Sequence, residues 1–473
     1  MIVNKISELL NKQHQIVIIG SGPAGLTLAL ELEKKKIPII LIEAGNLNPF
    51  KEPQKFLSSK VTGDAYNDLS LTRLRQFGGT SGHWGGDCIN LEERDFKSWP
   101  IGKKTLDPYI DRAKKILNIK KTFLNKNLTE NLNLVNLQWS DVRFNKKYLN
   151  KIKKSKYVSL CLDTVFINFN GENKVVKSAN FYKESNFSLS AQYFILTCGG
   201  VENSRLLLWS RRKNPKLISN KLPIGNYYMD HPYHSVGEGL INIKKLDSFF
   251  NIKKEYKFSV KCNSIYITPN NNFLMHHKIP SARTGIFFYD IENNYYFKDD
   301  FTKQLKCMAP RFIERLFANR EISDMQKIEI NLLQEQEPAY ENKVILDNEV
   351  DPLGIPKSAL FWKKDLLIKK TGRLIIEQVA EFLVKNNLGR IAINEYLYND
   401  DKFKILVGNH QLGGTRMGEK EDDSVVDKNL KVHGVENLFV CGSSIFRTGG
   451  YANPTFSIVQ FALRLSEHLI ENV

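Results

Sequence analysis

Three glycines near the start of the sequence have the spacing of a dinucleotide-binding loop. Gly20, Gly22 and Gly25 form a GxGxxG pattern within "GSGPAG". In such a loop the first glycine permits a tight turn, the second lets backbone amides approach a pyrophosphate, and the third allows close packing of helix on strand. The positive end of the helix dipole then faces the phosphates. Because the pattern alone is weak evidence, its surroundings decide its meaning.

The segments around these glycines predict a β-α-β unit. "QIVIIG" is typical of a buried parallel strand, the leucine-rich segment after the glycines of a helix, and "IPIILIEAG" of a second strand. Glu43 follows Gly25 by 18 residues at the end of this second strand, where a carboxylate hydrogen-bonds a ribose hydroxyl. An acid there repels the 2′-phosphate of NADP, which leaves NAD or FAD. The single fingerprint at the N-terminus, with a distant strand in "FILTCGG" to complete the sheet, favours FAD.

A histidine and an asparagine near the end of the sequence could act on a proton. His410 lies in "GNHQLGGTRMG" and Asn453 in "GGYANPTFS". A neutral imidazole can take a proton near neutral pH, and an amide can donate a hydrogen bond to an oxygen that gains charge. Taken alone, His410 is better explained as a structural residue that caps the Gly413-Gly414 turn. Its role therefore depends on the rest of the chain.

Length and composition indicate a globular protein of two domains. The 473 residues exceed the roughly 250 to 300 that one core accommodates, and 42% apolar and 25% charged residues are ordinary for a folded chain. The net charge of +17 comes from lysines spread through nearly every polar stretch without an RNA-binding signature. This distribution favours solvated faces, so no nucleic-acid partner is expected.

The cysteines and the N-terminal residues indicate the cellular compartment. The six cysteines form no CxxC pair, so the sequence predicts no metal or haem site and fits a reducing compartment. The N-terminal residues lack the apolar core of a signal peptide, and no apolar run approaches the roughly 18 residues of a membrane span. We therefore expect a cytoplasmic protein without a membrane span.

The elements that must position these residues change character along the chain. Between about 235 and 406, short alternating segments such as "YKFSVKCNSIYITP" and helical stretches predict an α+β substrate domain on an antiparallel sheet. "YVSLCLDTVFINFN", "KVVKSANFY" and "AQYFILTCGG" before it, and "NLFVCGSS" after it, are strand-like and return to the first domain. The patterns therefore predict an α/β dinucleotide-binding domain and a separate α+β substrate domain.

Several separated segments resemble the glucose-methanol-choline (GMC) oxidoreductases, flavoenzymes that oxidise alcohols. The matching segments occur in family order over nearly the whole chain: "GSGPAG" with Glu43, "GGTSGHWGG", "TCGGVENSRLLL", "IGNYYMDHP", "EQEPAYENKVILDNEVDPLGIP" and the stretch from "HQLGGTRMG" to "GGYANPT". Within the family, the sequence looks closest to the sugar- and polyol-oxidising branch, which includes pyranose oxidase. The resemblance implies FAD as cofactor, a small alcohol or sugar as substrate, and an electron acceptor that the sequence does not identify.

The fold that the resemblance implies is an α/β Rossmann-like FAD-binding domain in three chain segments plus an α+β substrate domain on an antiparallel sheet. The predicted ranges are 1–118 for the first FAD-binding segment, 119–154 for a variable connector, 155–234 for the second segment, 235–404 for the substrate domain and 405–473 for the C-terminal segment with the catalytic pair.

The resemblance also implies roles for individual residues. His410 would be the base that takes the hydroxyl proton while hydride moves to flavin N5, and Asn453 its hydrogen-bonding partner. His83 occupies the position at which pyranose oxidase-like members bond the flavin to a histidine, although many members with a similar loop hold FAD without a bond. The expected cofactor-binding residues are Gly20, Gly22, Pro23, Ala24, Gly25, Glu43, Gly79, Thr80, Ser81, His83, Gly442, Ser443, Asn453, Pro454 and Thr455.

Three further polar residues have expected or alternative roles, and the sequence allows functions other than alcohol oxidation. His231 in "MDHP" is expected to order a turn, and Arg416 to lock the turn after the two glycines. Arg447 stands where the family usually has proline, so it could place charge near the flavin or simply face solvent. The alternatives to CH–OH oxidation are a GMC-fold flavoprotein without net redox chemistry, such as a lyase or photoenzyme, and a basic nucleotide- or RNA-binding protein.

Overall fold

Helices and strands alternate along the chain in a computed structural model, which describes residues 1–3, 5–10, 14–49, 54–250, 264–288, 325–399 and 405–472. In these ranges the helices, α1 to α9, are Ser7–Leu10, Pro23–Glu33, Ile110–Ile116, Phe144–Lys154, Gly199–Lys213, Ile243–Phe250, Asn271–His277, Ile368–Lys385 and Thr455–Asn472. The strands, β1 to β21, are Ile16–Ile19, Ile39–Ile42, Lys60–Gly63, Asp87–Cys88, Asn125–Asn127, Leu132–Val135, Gln138–Trp139, Val158–Cys161, Val165–Glu172, Val175–Lys183, Ser185–Leu189, Tyr193–Leu196, Pro232–Asn242, Ser264–Pro269, Ala282–Phe288, Met325–Gln334, Lys343–Val350, Pro356–Trp362, Gly389–Ile393, Leu406–Val407 and Leu438–Val440.

A five-stranded parallel sheet organises the first layer, in the order β21-β12-β1-β2-β8. The central strand β1 is wholly buried, as its β-branched sequence predicts for a parallel strand covered on both faces. The unit β1-α2-β2 is the β-α-β unit that the sequence predicts. Strands from the beginning, the middle and the end of the chain share this sheet, so their carboxyl ends lie along one edge.

A second, eight-stranded sheet is antiparallel and covers most of the middle of the chain. Its main path is β19-β13-β16-β15-β14-β6-β5, and β20 pairs with β13. Helix α8 packs on it through apolar residues such as Ile375, Ile376 and Val379. The alternating segments of this region predicted an antiparallel sheet. In the segment "YKFSVKCNSIYITP", residues 256–263 lie outside the described part of the chain.

Two details differ from the elements expected from the sequence. "YVSLCLDTVFINFN" is not one strand, because the chain turns at Asp163, whose φ of +51° lies in the left-handed region. The part before the turn is β8 in the parallel sheet and the part after it is β9 in a separate three-stranded sheet. The polar connector contributes β5 and β6 to the antiparallel sheet, although its Asn/Lys-rich sequence gave no strand signal.

The buried apolar side chains form separate cores for the two large sheets. One core surrounds the parallel sheet and includes Val17, Leu41 and Ile195. Another lies between the antiparallel sheet and α8. Two cores fit the length argument, since the chain is too long for one. In the part of the chain described here, the helices are too short or too polar to cross a membrane.

Candidate active site

A cavity of about 600 Å³ lies at the carboxyl ends of the parallel strands. This is the edge at which open α/β sheets bind their ligands. The ends of β1, β2 and β12 contribute to its wall, and so does the turn after β21. The wall contains His410 and every residue expected to hold the cofactor except Gly25: Gly20, Gly22, Pro23, Ala24, Glu43, Gly79, Thr80, Ser81, His83, Gly442, Ser443, Asn453, Pro454 and Thr455.

The three glycines of the first loop have three different surroundings. Gly20 has φ +102°, and a Cβ there would lie 2.7 Å from the Thr197 carbonyl oxygen. A Cβ on Gly25 would lie 2.0 Å from the carbonyl oxygen of Gly20, so close helix–strand packing excludes a side chain. At Gly22 a Cβ would meet nothing within 4 Å, and the residue lines the cavity. Gly22 therefore leaves open a space beside the first turn of α2.

The first turn of α2 leaves its amides available. The helix begins at Pro23, and Gly22, as the N-cap, offers no side chain to hydrogen-bond them. Such amides, together with the positive end of the helix dipole, favour an anionic group in the space beside Gly22.

Glu43 is buried at the end of β2 and is held by three hydrogen bonds. Its Oε2 accepts from the Ser21 amide at 3.1 Å and the Ser21 hydroxyl at 2.6 Å, and its Oε1 accepts from the Gly45 amide at 2.9 Å. Burial raises the pKa of this carboxyl, and the bonds from Ser21 oppose that shift. Oε1 keeps one lone pair for a further donor such as a ribose hydroxyl.

The second glycine-rich loop meets the first one. A Cβ on Gly79, which has φ +55°, would lie 2.9 Å from the Cα atom of Gly22. Ser81 donates to the Gly78 carbonyl at 2.7 Å and accepts from the Phe144 amide at 3.1 Å. The Ser81 hydroxyl thus anchors the loop to the start of α4.

The imidazole of His83 also lies on the cavity wall. Burial lowers its pKa, and a hydrogen bond to the Thr72 backbone works in the opposite direction. The ring is therefore held in its neutral form near neutral pH, with one ring nitrogen engaged by the backbone.

His410 and Asn453 lie together on the cavity wall, although 43 positions separate them in the sequence. The distance from His410 Nε2 to Asn453 Nδ2 is 3.2 Å. Asn453 Oδ1 accepts a hydrogen bond of 2.7 Å from Arg283, a buried residue of β15 that also donates to the Tyr451 carbonyl at 2.8 Å. The antiparallel sheet thus supplies one of the groups that fix the pair.

His231, which is expected to order a turn, is also in direct contact with His410. Its Nδ1 lies 2.9 Å from His410 Nδ1, and its Nε2 lies 2.8 Å from the Gly450 carbonyl oxygen. The motif "MDHP" drew attention to His231, but it could not predict this contact because the two histidines are 179 positions apart. Arg283 carried no sequence signal at all.

Asp230 holds the backbone of both histidines. Its Oδ1 accepts from the amides of His231 at 2.7 Å and His410 at 2.8 Å, and Tyr66 donates to its Oδ2 at 2.5 Å. Burial raises the pKa of Asp230 to about 7, against these hydrogen bonds. Asp230 was not among the predicted site residues, although it lies directly before His231 in the motif "MDHP".

Both imidazoles of the site are neutral near pH 7. Burial lowers the pKa of His231 to about 4. Burial also holds the pKa of His410 well below its ordinary value, and the neighbouring His231 and Arg283 lower it further. A base with a pKa close to the working pH was expected, and the structure gives a weaker base that stays unprotonated into the acid range.

The two arginines near the turn do not reach the cavity wall. Arg416 donates from Nε to the Asp423 carbonyl at 2.7 Å, so it locks the turn as expected. Arg447 donates to Asp423 Oδ2 at 2.7 Å and to the Met417 carbonyl at 2.9 Å. Arg447 therefore pairs with Asp423. Its side chain neither lines the cavity, as a charge near the flavin would, nor extends freely into solvent.

Comparison with known proteins finds one family model that matches the C-terminal part of the chain. Residues 338–462 match the family model described as GMC oxidoreductase. The chain is 21% identical, over 97% of its length, to 2-methyl-1,2-propanediol dehydrogenase from Mycolicibacterium austroafricanum, and the match covers 95% of that protein. It is 23% identical, over 60% of its length, to the fructose dehydrogenase large subunit of Gluconobacter japonicus, of which it spans 48%.

Solved structures show the same fold at low identity. Pyridoxine 4-oxidase from Mesorbium loti superimposes with a TM-score of 0.65 at 13% identity, over 97% of this chain and 99% of that one. Formate oxidase gives a TM-score of 0.57 at 15% identity, over 98% of this chain and 99% of that one. The predicted pairing of an FAD-binding domain with a substrate domain is confirmed at the level of the fold. Residues 338–462 therefore match the GMC oxidoreductases, and the chain as a whole is similar to a dehydrogenase of nearly the same extent.

The residues of the cavity fit FAD, the cofactor of this family. The open space at Gly22 lies beside uncapped amides of α2, where a pyrophosphate is stabilised. The free lone pair of Glu43 suits a ribose hydroxyl. The same cavity reaches His410 and Asn453, so a dinucleotide bound in it extends from the glycine loop to the histidine–asparagine pair.

Proposed function

We propose that the protein is an FAD-dependent oxidoreductase that oxidises a CH–OH group, with His410 as base and Asn453 as its hydrogen-bonding partner. The observation that carries this proposal is the contact between His410 Nε2 and Asn453 Nδ2 on the wall of the cavity that also contains the glycine loop. The residues 1–118, 155–234 and 405–473 would form the FAD-binding domain, and 235–404 the substrate domain.

The proton chemistry follows from the pair itself. A neutral imidazole has one lone pair, and a substrate hydroxyl that donates to His410 Nε2 must displace the 3.2 Å contact from Asn453. That contact is at the long end of the hydrogen-bond range, so little is lost. Asn453 then donates to the substrate oxygen as the proton leaves for Nε2. FAD, when bound, accepts the two electrons and the hydrogen of the C–H bond as hydride.

The substrate class we propose is a sugar or polyol. Two relatives are named for such compounds, one for fructose and one for 2-methyl-1,2-propanediol. A neutral substrate also agrees with the chemistry of the pair, since one imidazole lone pair and one amide N–H suit a single hydroxyl. We expect His83 to be the attachment point if the flavin is covalently held, and acid precipitation of wild type and His83→Ala tests this through the colour of the pellet.

Reduction of the bound flavin tests the proposal. His410→Ala should slow anaerobic flavin reduction by a sugar, polyol and alcohol panel about a hundred- to ten-thousand-fold, the usual contribution of a general base. Asn453→Ala removes one donor to the developing oxyanion and should cost roughly 2.7 to 4 kcal/mol of activation free energy. FAD content, measured by absorbance, should stay unchanged in His410→Ala, and rates for Asn453→Ala are compared per bound flavin.

His276→Ala is the matched control, because this histidine is exposed and lies outside the cavity wall. Unchanged reduction rates in both His410→Ala and Asn453→Ala would mean that the pair is not catalytic. A flavin that no member of the panel reduces would instead favour a lyase or photoenzyme of the same fold. Salt-sensitive RNA binding in a gel shift would support the nucleic-acid alternative.

A further inference from the structure

An unbroken series of hydrogen bonds runs through the site from a guanidinium to a backbone carbonyl. It passes from Arg283 to Asn453 Oδ1 at 2.7 Å, from Asn453 Nδ2 to His410 Nε2 at 3.2 Å, between the two Nδ1 atoms of His410 and His231 at 2.9 Å, and from His231 Nε2 to the Gly450 carbonyl at 2.8 Å. Each imidazole and the amide use both of their polar ends in this series.

The carbonyl end fixes the hydrogens of both rings. The Gly450 oxygen can only accept, so His231 Nε2 carries the hydrogen. Because His231 is neutral, its Nδ1 is then an acceptor. The hydrogen in the contact between the two rings therefore belongs to His410 Nδ1, and His410 Nε2 is left with a lone pair.

The guanidinium end leads to the same arrangement independently. Arginine has no acceptor, so Asn453 must present Oδ1 to Arg283 and its amide nitrogen to His410. An amide nitrogen only donates, and His410 Nε2 must therefore be unprotonated. The guanidinium at one end can only donate and the carbonyl at the other can only accept. Both requirements give the same position for every hydrogen in the series.

We propose that His231 is a positioning residue that holds His410 in the tautomer with the hydrogen on Nδ1 and the lone pair of Nε2 directed to Asn453 and the cavity. This inference rests on the proposed function of His410 and specifies how the base is prepared. The role of His231 is indirect, because it is buried, lies outside the cavity wall and has both ring nitrogens engaged within the protein.

Among the described residues, the hydrogen bond of His410 Nδ1 is the one to His231 Nδ1. Asp230 receives the backbone amides of His231 and His410 and the hydroxyl of Tyr66. Gly408 packs against the His410 ring, since a Cβ there would lie 3.0 Å from Nδ1. Without His231, only the 3.2 Å contact from Asn453 would favour this tautomer, and the Nδ1 hydrogen of His410 would be buried without its acceptor.

Ring nitrogen NMR of the FAD-loaded protein tests the tautomer directly. Long-range ¹H–¹⁵N correlation of ¹⁵N-histidine-labelled wild type should show His410 protonated at Nδ1 and unprotonated at Nε2, with its signals assigned by their loss in His410→Ala. His231→Leu should populate both tautomers, because it leaves the Nδ1 hydrogen of His410 buried without an acceptor and only the 3.2 Å contact from Asn453 then opposes the other tautomer. A wild-type His410 that is protonated at Nε2 would overturn the proposal whether or not any variant folds.

Two variants of His231 separate positioning from simple packing. His231→Leu keeps bulk without an acceptor and should lower the flavin reduction rate about 10- to 100-fold, by analogy with the loss of a group that orients a metal-binding histidine. His231→Asn can present Oδ1 where Nδ1 was, so it should recover most of that rate and the wild-type tautomer. Equal rates and equal ring shifts in wild type and His231→Leu would contradict the assignment.

The two proposals fail in different ways. If His410→Ala reduces its flavin at the wild-type rate, the proposed base is wrong, whatever the NMR spectrum shows. If His410→Ala is slow but the ring of His410 keeps its tautomer in His231→Leu, the base is correct and the role given to His231 is wrong. FAD content and the far-ultraviolet circular dichroism spectrum should match in all variants.

Discussion

At the scale of single residues, the sequence pointed to the two members of the proposed pair but not to the residues that contact and hold them. His410 and Asn453 lie in short motifs that resemble a family, so each position was found from a local pattern. The contacts of His231 and Arg283 join residues more than a hundred positions apart. No local pattern contains such contacts, since they depend on how two sheets meet.

The pH dependence of flavin reduction is a prediction at this scale. Burial holds the pKa of His410 well below the ordinary value of about 6.5. The neutral base therefore persists as the pH falls through 6.5, and activity is lost only when the pH passes the lowered pKa. Stopped-flow reduction at saturating substrate should stay flat to below pH 6.5 and then decline, and His410→Ala should lack this decline.

Asp230 supplies the check on that assignment, because burial raises its pKa to about 7. Its carboxyl contacts the backbone of both histidines and the hydroxyl of Tyr66, while Arg283 is the cation beside the rings. The decline below pH 6.5 should persist in Asp230→Asn. A decline centred near pH 7 that remains in His410→Ala and disappears in Asp230→Asn would contradict the prediction.

At the scale of elements, regular patterns predicted well and polar segments did not. The unit β1-α2-β2 was predicted because buried parallel strands are continuous apolar runs and the glycines between them are diagnostic. The strand β5 was missed because its three residues, Asn125–Asn127, are polar and exposed. Its pairing at a sheet edge comes from the backbone, which a pattern of side chains does not reveal.

The glycine loop gives a prediction that separates cofactor binding from folding. Gly22→Ala adds a methyl group to the open space at the start of α2, at a φ of −69° that alanine tolerates. The protein should fold normally and bind FAD about 10- to 100-fold less tightly, as for the loss of one charged hydrogen bond. Titration of the apoprotein with FAD, followed by flavin fluorescence, measures this.

Gly25→Ala should behave differently, because its methyl group would clash with the Gly20 carbonyl oxygen. We expect the free energy of unfolding to fall by about 1 to 3 kcal/mol, as for overpacking elsewhere. Gly102→Ala is the control for both, since a Cβ there meets nothing and the residue lies outside the cavity. Unchanged FAD affinity in Gly22→Ala would mean that the pyrophosphate does not approach this loop.

At the scale of the whole molecule, the length of the chain predicted two cores. The contacts that join distant segments, here called joints, could be seen only in the structure. The parallel sheet draws its strands from the beginning, middle and end of the chain. Asn437, directly before β21, is one such joint. Its amide donates to the carbonyls of Val176 and Gln192 and accepts from the Val176 amide at 2.8 Å, while the residue itself is buried.

Removing this joint should destabilise the protein without touching the active site. Asn437→Ala leaves buried backbone groups of Val176 without partners, and each unpaired group costs about 1 to 3 kcal/mol. We therefore expect the free energy of unfolding in urea to drop by at least about 1 kcal/mol, with FAD content and flavin reduction unchanged under native conditions. Asn226→Ala is the matched control, because its amide makes a single exposed bond to the Tyr340 carbonyl. Equal stability of the two variants would show that the C-terminal strand is held by its sheet pairing and packing alone.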